Sequence, residues 1–146
     1  MKKLKILSLS LVLVGTSILT SCQKEGCTDL DAINYSSSAK KNDGSCKYEG
    51  SVVFWYGPET SSFLQGDDAL TLTYYVDGQV VGSSATSVFW NSIPDCGQNS
   101  SVTVTKDLGG SKSNAYTYSI KDQTGFEYWS GVLNFSANTC QKLELN

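Results

Sequence analysis

The apolar positions change character along the chain. Residues 6–14 form a short apolar block broken only by Ser8 and Ser10. Residues 26–46 hold few apolar positions and many Asp, Asn, Ser and Gly. From about Tyr48 onward the pattern becomes that of strands. Ser51-Val52-Val53-Phe54-Trp55-Tyr56 is a dense β-prone run stopped by Gly57-Pro58. Leu70, Leu72, Tyr74 and Val76 alternate with polar neighbours and predict one strand with a single apolar face. Asp77-Gly78 follows, a strong hairpin signal, and Gln79 to Gly82 is the predicted return strand. Further strands are predicted at Thr86–Trp90, at Ser101–Lys106 with Val102 and Val104 inward, and around Tyr116, Tyr118 and Ile120. The chain closes with Tyr128–Ser136 and Gln141–Leu145. About seven or eight short strands separated by turn signals predict an all-β fold, a single β-sandwich of immunoglobulin-like size over 49–146. No stretch reads as a long amphipathic helix.

The first block is not part of that fold. Met1-Lys2-Lys3-Leu4-Lys5 is a basic leader to the apolar stretch, and Leu19-Thr20-Ser21 precede Cys22. The segment reads as a signal peptide over 1–21, too short for a membrane span. Leu-Thr-Ser-Cys resembles the bacterial lipobox. That resemblance implies diacylglycerol on the Cys22 thiol, cleavage before Cys22 and acylation of the new N-terminus. One acyl chain binds a membrane only marginally, so several chains on one residue make a stable anchor. Residues 22–26 are then a lipidated tether. Gln23 stands where Asp would favour inner-membrane retention in some bacteria, so the expected location is the outer membrane, on either side of it.

Five cysteines are present, Cys22, Cys27, Cys46, Cys96 and Cys140. Setting Cys22 aside as the lipid carrier leaves four, which allow three pairings. Cys27–Cys46 is favoured because the segment 27–48 has no core and needs a staple. Closing about 20 residues contributes on the order of 3 kcal/mol in a chain-entropy account. The favoured partner pairing, Cys96–Cys140, closes about 45 residues, worth roughly 4 kcal/mol, and would tie a final hairpin to the middle of the domain. Cross-pairing requires the stapled segment to fold onto the sandwich. Export supplies the oxidising compartment.

Within the stapled segment, Asp29, Asp31 and Asp43 raise the question of calcium. An EF-hand loop starting at Asp29 would have Asp31 third, but Ile33 fifth, Asn34 sixth and Lys40 twelfth, which rules that motif out. Turn chemistry explains the same residues: Asn42-Asp43-Gly44 is a strong turn, and Asp31 to Tyr35 forms one helical turn with Ile33 and Tyr35 as its apolar contribution. The expectation is a stapled loop without cofactor, with a non-EF calcium site on Asp29, Asp31 and Asp43 as the alternative. Gly26-Cys27-Thr28-Asp29, Ala32, Asn34-Tyr35, Ala39 and Asp43-Gly44-Ser45-Cys46 resemble a cysteine-bracketed repeat of exported Bacteroidota proteins. Leu30 and Ser36 to Ser38 depart from it, and the latter remove oxygen ligands.

The remainder is similar to a group of uncharacterised Bacteroidota lipoproteins. The similarity rests on Gly50-Ser51-Val52-Val53-Phe54-Trp55, Pro94-Asp95-Cys96-Gly97, Tyr116-Thr117-Tyr118, Trp129-Ser130-Gly131 and Cys140 to Leu145. It implies a β-sandwich and an envelope location and brings no known activity, so it adds nothing about catalysis.

Charge and composition narrow the function. The signal removes three lysines and no acid, so eight basic and fourteen acidic residues remain and the net charge falls from −3 to −6. An acidic chain has no footprint for a nucleic-acid backbone. There is no histidine, which removes the commonest general base and most zinc sites. Gly109-Gly110-Ser111-Lys112 lacks the spacing of a P-loop. Glu59, Asp67, Asp68, Asp95, Asp122 and Glu127 would suit a two-carboxylate glycosidase only if two of them converged, and acids in turns are the default. Aromatics carry more weight. Trp55, Tyr56, Tyr75, Trp90, Tyr128 and Trp129 cannot all face one core; any one of them is explained by strand propensity and a thin core, and an exposed row would suit sugar rings or a protein interface. The expected function is that of a non-catalytic envelope lipoprotein acting as a structural or accessory subunit or a protein-interaction module. The alternative is a glycan-binding module using Trp55, Trp90 and Trp129.

Overall fold

The structure, a computed structural model, describes residues 23–146. The signal segment and Cys22 lie outside the described residues. Strands β1 (Glu25–Gly26) and β2 (Lys41–Asn42) form a short parallel pair. The rest comprises β3 (Tyr48–Trp55), α1 (Pro58–Gly66), β4 (Thr71–Val76), β5 (Gln79–Ala85), β6 (Val102–Gly109), β7 (Ser113–Asp122), β8 (Glu127–Ser136) and β9 (Cys140–Glu144). Two sheets result, ordered β6-β3-β9 and β5-β4-β7-β8. The all-β class holds, and the two sheets face each other across one core. Among the described residues no helix is long and apolar enough to cross a membrane.

The core follows the alternation. Leu72, Tyr74 and Val76 of β4 are buried against Val52 and Phe54 of β3, Val104 of β6, Ile120 of β7 and Phe135 of β8. Phe54 and Tyr74 meet across the sheets with centroids 5.3 Å apart. Asp77 and Gly78 both take positive φ, 53° and 72°, as a two-residue hairpin with the twist of its strands requires. Leu70 departs from the expected face. It is exposed, precedes the strand, and its N–H is taken by Gln123 Oε1 at 2.9 Å.

Some elements differ from expectation. Thr86–Trp90 is not a strand. Thr86 is buried and turns the chain, its hydroxyl donating to the Ala69 carbonyl at 2.7 Å. Helix α1 occupies what reads as a strand stop. Pro58 sits in its first turn, Glu59 follows there, and Leu64 and Ser61 face inward. The last two strands do not form a hairpin. β8 closes one sheet, and β9 crosses to the other to pair in parallel with β3.

Both favoured disulfides are present, Cys27–Cys46 and Cys96–Cys140. Cys140, Lys142 and Glu144 of β9 lie opposite Ser51, Val53 and Trp55 of β3 and share their outward face. Cys96 bonds Cys140 on that face, and Asp95 accepts from Lys142 Nζ at 2.7 Å. The β5–β6 connection is thus strapped across the outside of the smaller sheet. Val53 is buried there although it lies outside the core cluster.

The stapled segment is part of the body. Cys27, Ala32, Cys46 and Tyr48 belong to the same buried cluster as the sandwich. Ile33 and Tyr35, expected as its apolar contribution, are exposed. The half-cystines and Ala32 take that role because small side chains allow close docking on Tyr48.

Candidate binding cleft

Tyr128 and Trp129 are consecutive in β8 and in a regular strand would point to opposite faces. The register breaks there. Ile120 pairs with Trp129 and Lys121 with Glu127, which leaves Tyr128 as the extra residue of a β-bulge. The bulge turns both rings to one side, with centroids 5.6 Å apart. Other elements add rings to this pair. Phe126 stands edge-on to Tyr128 at 5.0 Å, and Phe63 of α1 does so at 6.4 Å.

The segments that carry the rings are fixed by hydrogen bonds and core packing. Asp122 Oδ1 accepts the Thr124 hydroxyl at 2.7 Å and the Thr124 and Phe126 N–H groups at 2.8 and 2.9 Å. These bonds fix the β7–β8 turn, and the Thr124 hydroxyl first among them holds the Asp122 carboxyl below its usual range. Leu64 fills the core behind α1, which points Phe63 outward with Glu59 one helical turn before it. The Tyr128 hydroxyl donates to Asp67 Oδ2 at 2.6 Å. That bond to a carboxylate, with burial second, pushes the phenol up to about 12. Trp129 Nε1 donates to the Asn146 backbone oxygen at 3.2 Å.

The result is an open cleft of about 700 Å³, walled by Phe63, Phe126, Tyr128 and Trp129 and rimmed by Glu59, Asp67 and Glu127. A second depression, lined by Asp67, Asp68 and Asp122, adjoins it across Phe126 and Tyr128. Phe63 is 61% exposed and Phe126 59%. Glu127 lies 3.6 Å from Lys121 Nζ, while Glu59 and Asp67 have no ion pair among the described residues. No lysine lines either depression.

The three tryptophans do not form one row. Trp129 lines the cleft, whereas Trp55 and Trp90 border a different gap of about 10 Å³, beside Phe54 and Tyr74, with no room for a sugar. The sequence reading missed Phe63 and Phe126 and scattered the carboxylates among separate turns. Two adjacent aromatics in a strand were the available signal for the bulge.

The carboxylates of the stapled segment are placed differently from a calcium site. Asp29 and Asp31 converge, but on Lys112, whose Nζ lies 2.7 and 2.9 Å from their oxygens. Tyr48 also donates to Asp29 at 2.9 Å. The Lys112 bond above all holds the Asp29 carboxyl low, and both carboxylates hold the Lys112 ammonium up. Asp43 is apart from them and caps its own turn, accepting from the Ser45 N–H at 2.9 Å. Among the described residues no group of three acids or cysteines is arranged to hold a metal ion.

Comparison with protein-family models, with curated proteins and with solved structures finds no match to this chain.

Proposed function

We propose that this protein is a non-catalytic lipoprotein of the outer membrane, anchored through Cys22, that docks a partner protein in the aromatic cleft. The observation that carries the reading is the clustering of four rings, Phe63 and Phe126 exposed and Tyr128 and Trp129 half-buried, around about 700 Å³ of open space. Folded proteins rarely leave such a cluster uncovered unless something binds there. The carboxylates at the rim are all exposed, which suits hydrogen-bond acceptors better than general acids, whose proton burial would retain.

The topology supports the same reading. The stapled segment docks where β3 and β7 begin, through Tyr48 and Lys112. The cleft lies where those strands end, at α1 and the β7–β8 turn. Ten residues of β7 separate the two, about 33 Å. A lipid on Cys22 would sit at the stapled end, because β1 starts at Glu25. The cleft would then face away from the bilayer, open to a partner.

The rings favour an inserted side chain over a stacked glycan. Phe63 and Phe126 stand at 87° and 77° to Tyr128, which makes walls and not a flat platform. The test is a crosslinked pull-down of the lipidated protein from its own outer membranes, beside the Phe63→Ala/Phe126→Ala variant. One stoichiometric partner, lost in the variant, is the expected result. A partner retained by the variant, or only abundant bystanders, would overturn the reading.

A further inference from the structure

We infer that the occupant of the cleft is a cationic side chain of the partner protein, with a guanidinium fitting best. This rests on the reading of the cleft as a docking site. Ring faces attract cations through their quadrupole, most strongly for Trp and Tyr. Here the faces are combined with carboxylates. Asp67 is engaged by the Tyr128 hydroxyl through Oδ2, and its other oxygen has no hydrogen-bond partner among the described residues. Glu59 stands on the helix wall, one turn before Phe63. A planar guanidinium entering between the rings could stack on Tyr128 or Trp129 and direct its N–H groups to Asp67 and Glu59.

Charge complementarity sets the sign. The cleft and its neighbour are lined by Glu59, Asp67, Asp68, Asp122 and Glu127 and by no basic residue. The chain cannot supply the guanidinium itself, since all eleven of its basic residues are lysines. Acids in turns would be unremarkable alone. Acids around exposed ring faces form a receptor for a cation that also carries apolar surface, which describes an arginine or lysine side chain and excludes a small hydrated ion.

The test uses the full lipidated chain in detergent micelles and reads the indole ¹⁵N–H signals of the tryptophans, with Trp129→Phe to assign one of them. The probes are acetyl-Gly-Arg-Gly-amide, its Lys counterpart, and the citrulline counterpart, which has the shape of arginine without the charge. Chitobiose serves as the sugar probe. The arginine peptide is expected to shift the Trp129 signal saturably and the citrulline peptide about tenfold more weakly. Added salt should narrow that gap. The Glu59→Gln/Asp67→Asn variant, which keeps the acceptor for Tyr128, should bring the arginine peptide to the level of citrulline. Equal binding of arginine and citrulline would overturn charge recognition while leaving a docking cleft. A shift by chitobiose alone would overturn it in favour of a glycan. No shift by any probe, with a pull-down partner that still depends on Phe63 and Phe126, would overturn the cationic occupant alone. No shift together with an insensitive pull-down would overturn both readings.

Discussion

Replacing Gly50 by alanine should destabilise the sandwich out of proportion to one methyl group. Gly50 is buried in β3, and a Cβ there would lie 2.5 Å from the Ser136 carbonyl oxygen, 3.0 Å from its nitrogen and 3.1 Å from its carbonyl carbon. All of these are backbone atoms of β8, so no side chain can swing away. Either strand must move by nearly 1 Å. Two hydrogen bonds resist that movement, Asn138 N–H to the Glu49 carbonyl at 2.8 Å and Ser51 N–H to the Thr139 carbonyl at 2.9 Å. Overpacking costs about 1–3 kcal/mol, and weakening these bonds adds about 1 kcal/mol. A loss of about 2–4 kcal/mol corresponds to a fall in Tm on the order of 10 °C for a chain of this size. Gly66→Ala is the control. It ends α1 with nothing within 4 Å of the added methyl and without a positive φ, so it should raise stability by about 0.5–1 kcal/mol. Urea unfolding of both variants, followed by circular dichroism, decides the matter. A Gly50→Ala midpoint within experimental error of the wild type would refute the close approach of β3 to β8.

The Cys96→Ser/Cys140→Ser variant should lose about 4 kcal/mol in urea unfolding, given a separation of 44 residues; it should also become open to limited proteolysis within 86–101. The Lys112 contacts make docking of the stapled segment pH-dependent. Asp29 is depressed in the fold, so its contribution is present above the ordinary carboxylate value of 3.8 and is lost as pH falls through the lower folded value. Lys112 is raised, so its contribution is complete below 10.5 and is lost as pH rises through the higher folded value. The difference in urea midpoint between wild type and Lys112→Met should therefore be flat between about pH 4 and 10 and shrink outside that window. Alkaline difference spectroscopy of the wild type against Tyr128→Phe should place the Tyr128 phenol at about 12, and Asp67→Asn should bring it down toward the ordinary value.

Much of the sandwich was legible because its strands are local patterns. The alternation through Leu72, Tyr74 and Val76 and the Asp77-Gly78 turn are decided within ten residues of chain. The features that were not legible depend on distant partners. Thr86 has the β propensity of a strand residue, yet its hydroxyl satisfies the Ala69 carbonyl and ends the strand. Gly57-Pro58 stops a strand and equally starts a helix, and which of these follows depends on whether Leu64 finds a core. Gly50 looked like a motif letter until the backbone of Ser136 stood against it. The cleft is the extreme case. Phe63 and Tyr128 are 65 residues apart in the chain, and the bulge that turns Tyr128 beside Trp129 appears only in the pairing with β7.

The position of the staple between tether and sandwich has a mechanical consequence. A lipid at Cys22 would pull on Gln23 and Lys24, and the Lys40 N–H already holds the Lys24 carbonyl at 2.8 Å. From there the load passes into Cys27, whose disulfide closes the segment, and into Asp29, which Lys112 and Tyr48 fix to the sandwich. Without the disulfide, the segment would retain few buried side chains, and the tether would lengthen by up to about 20 residues of slack chain, roughly 70 Å when extended. With it, a body anchored at Cys22 would stay close to the bilayer, with the cleft at the far end of β7. On the proposed anchoring, the staple would set the distance at which a partner is met, a physical reason for a small segment without a core of its own to be covalently closed.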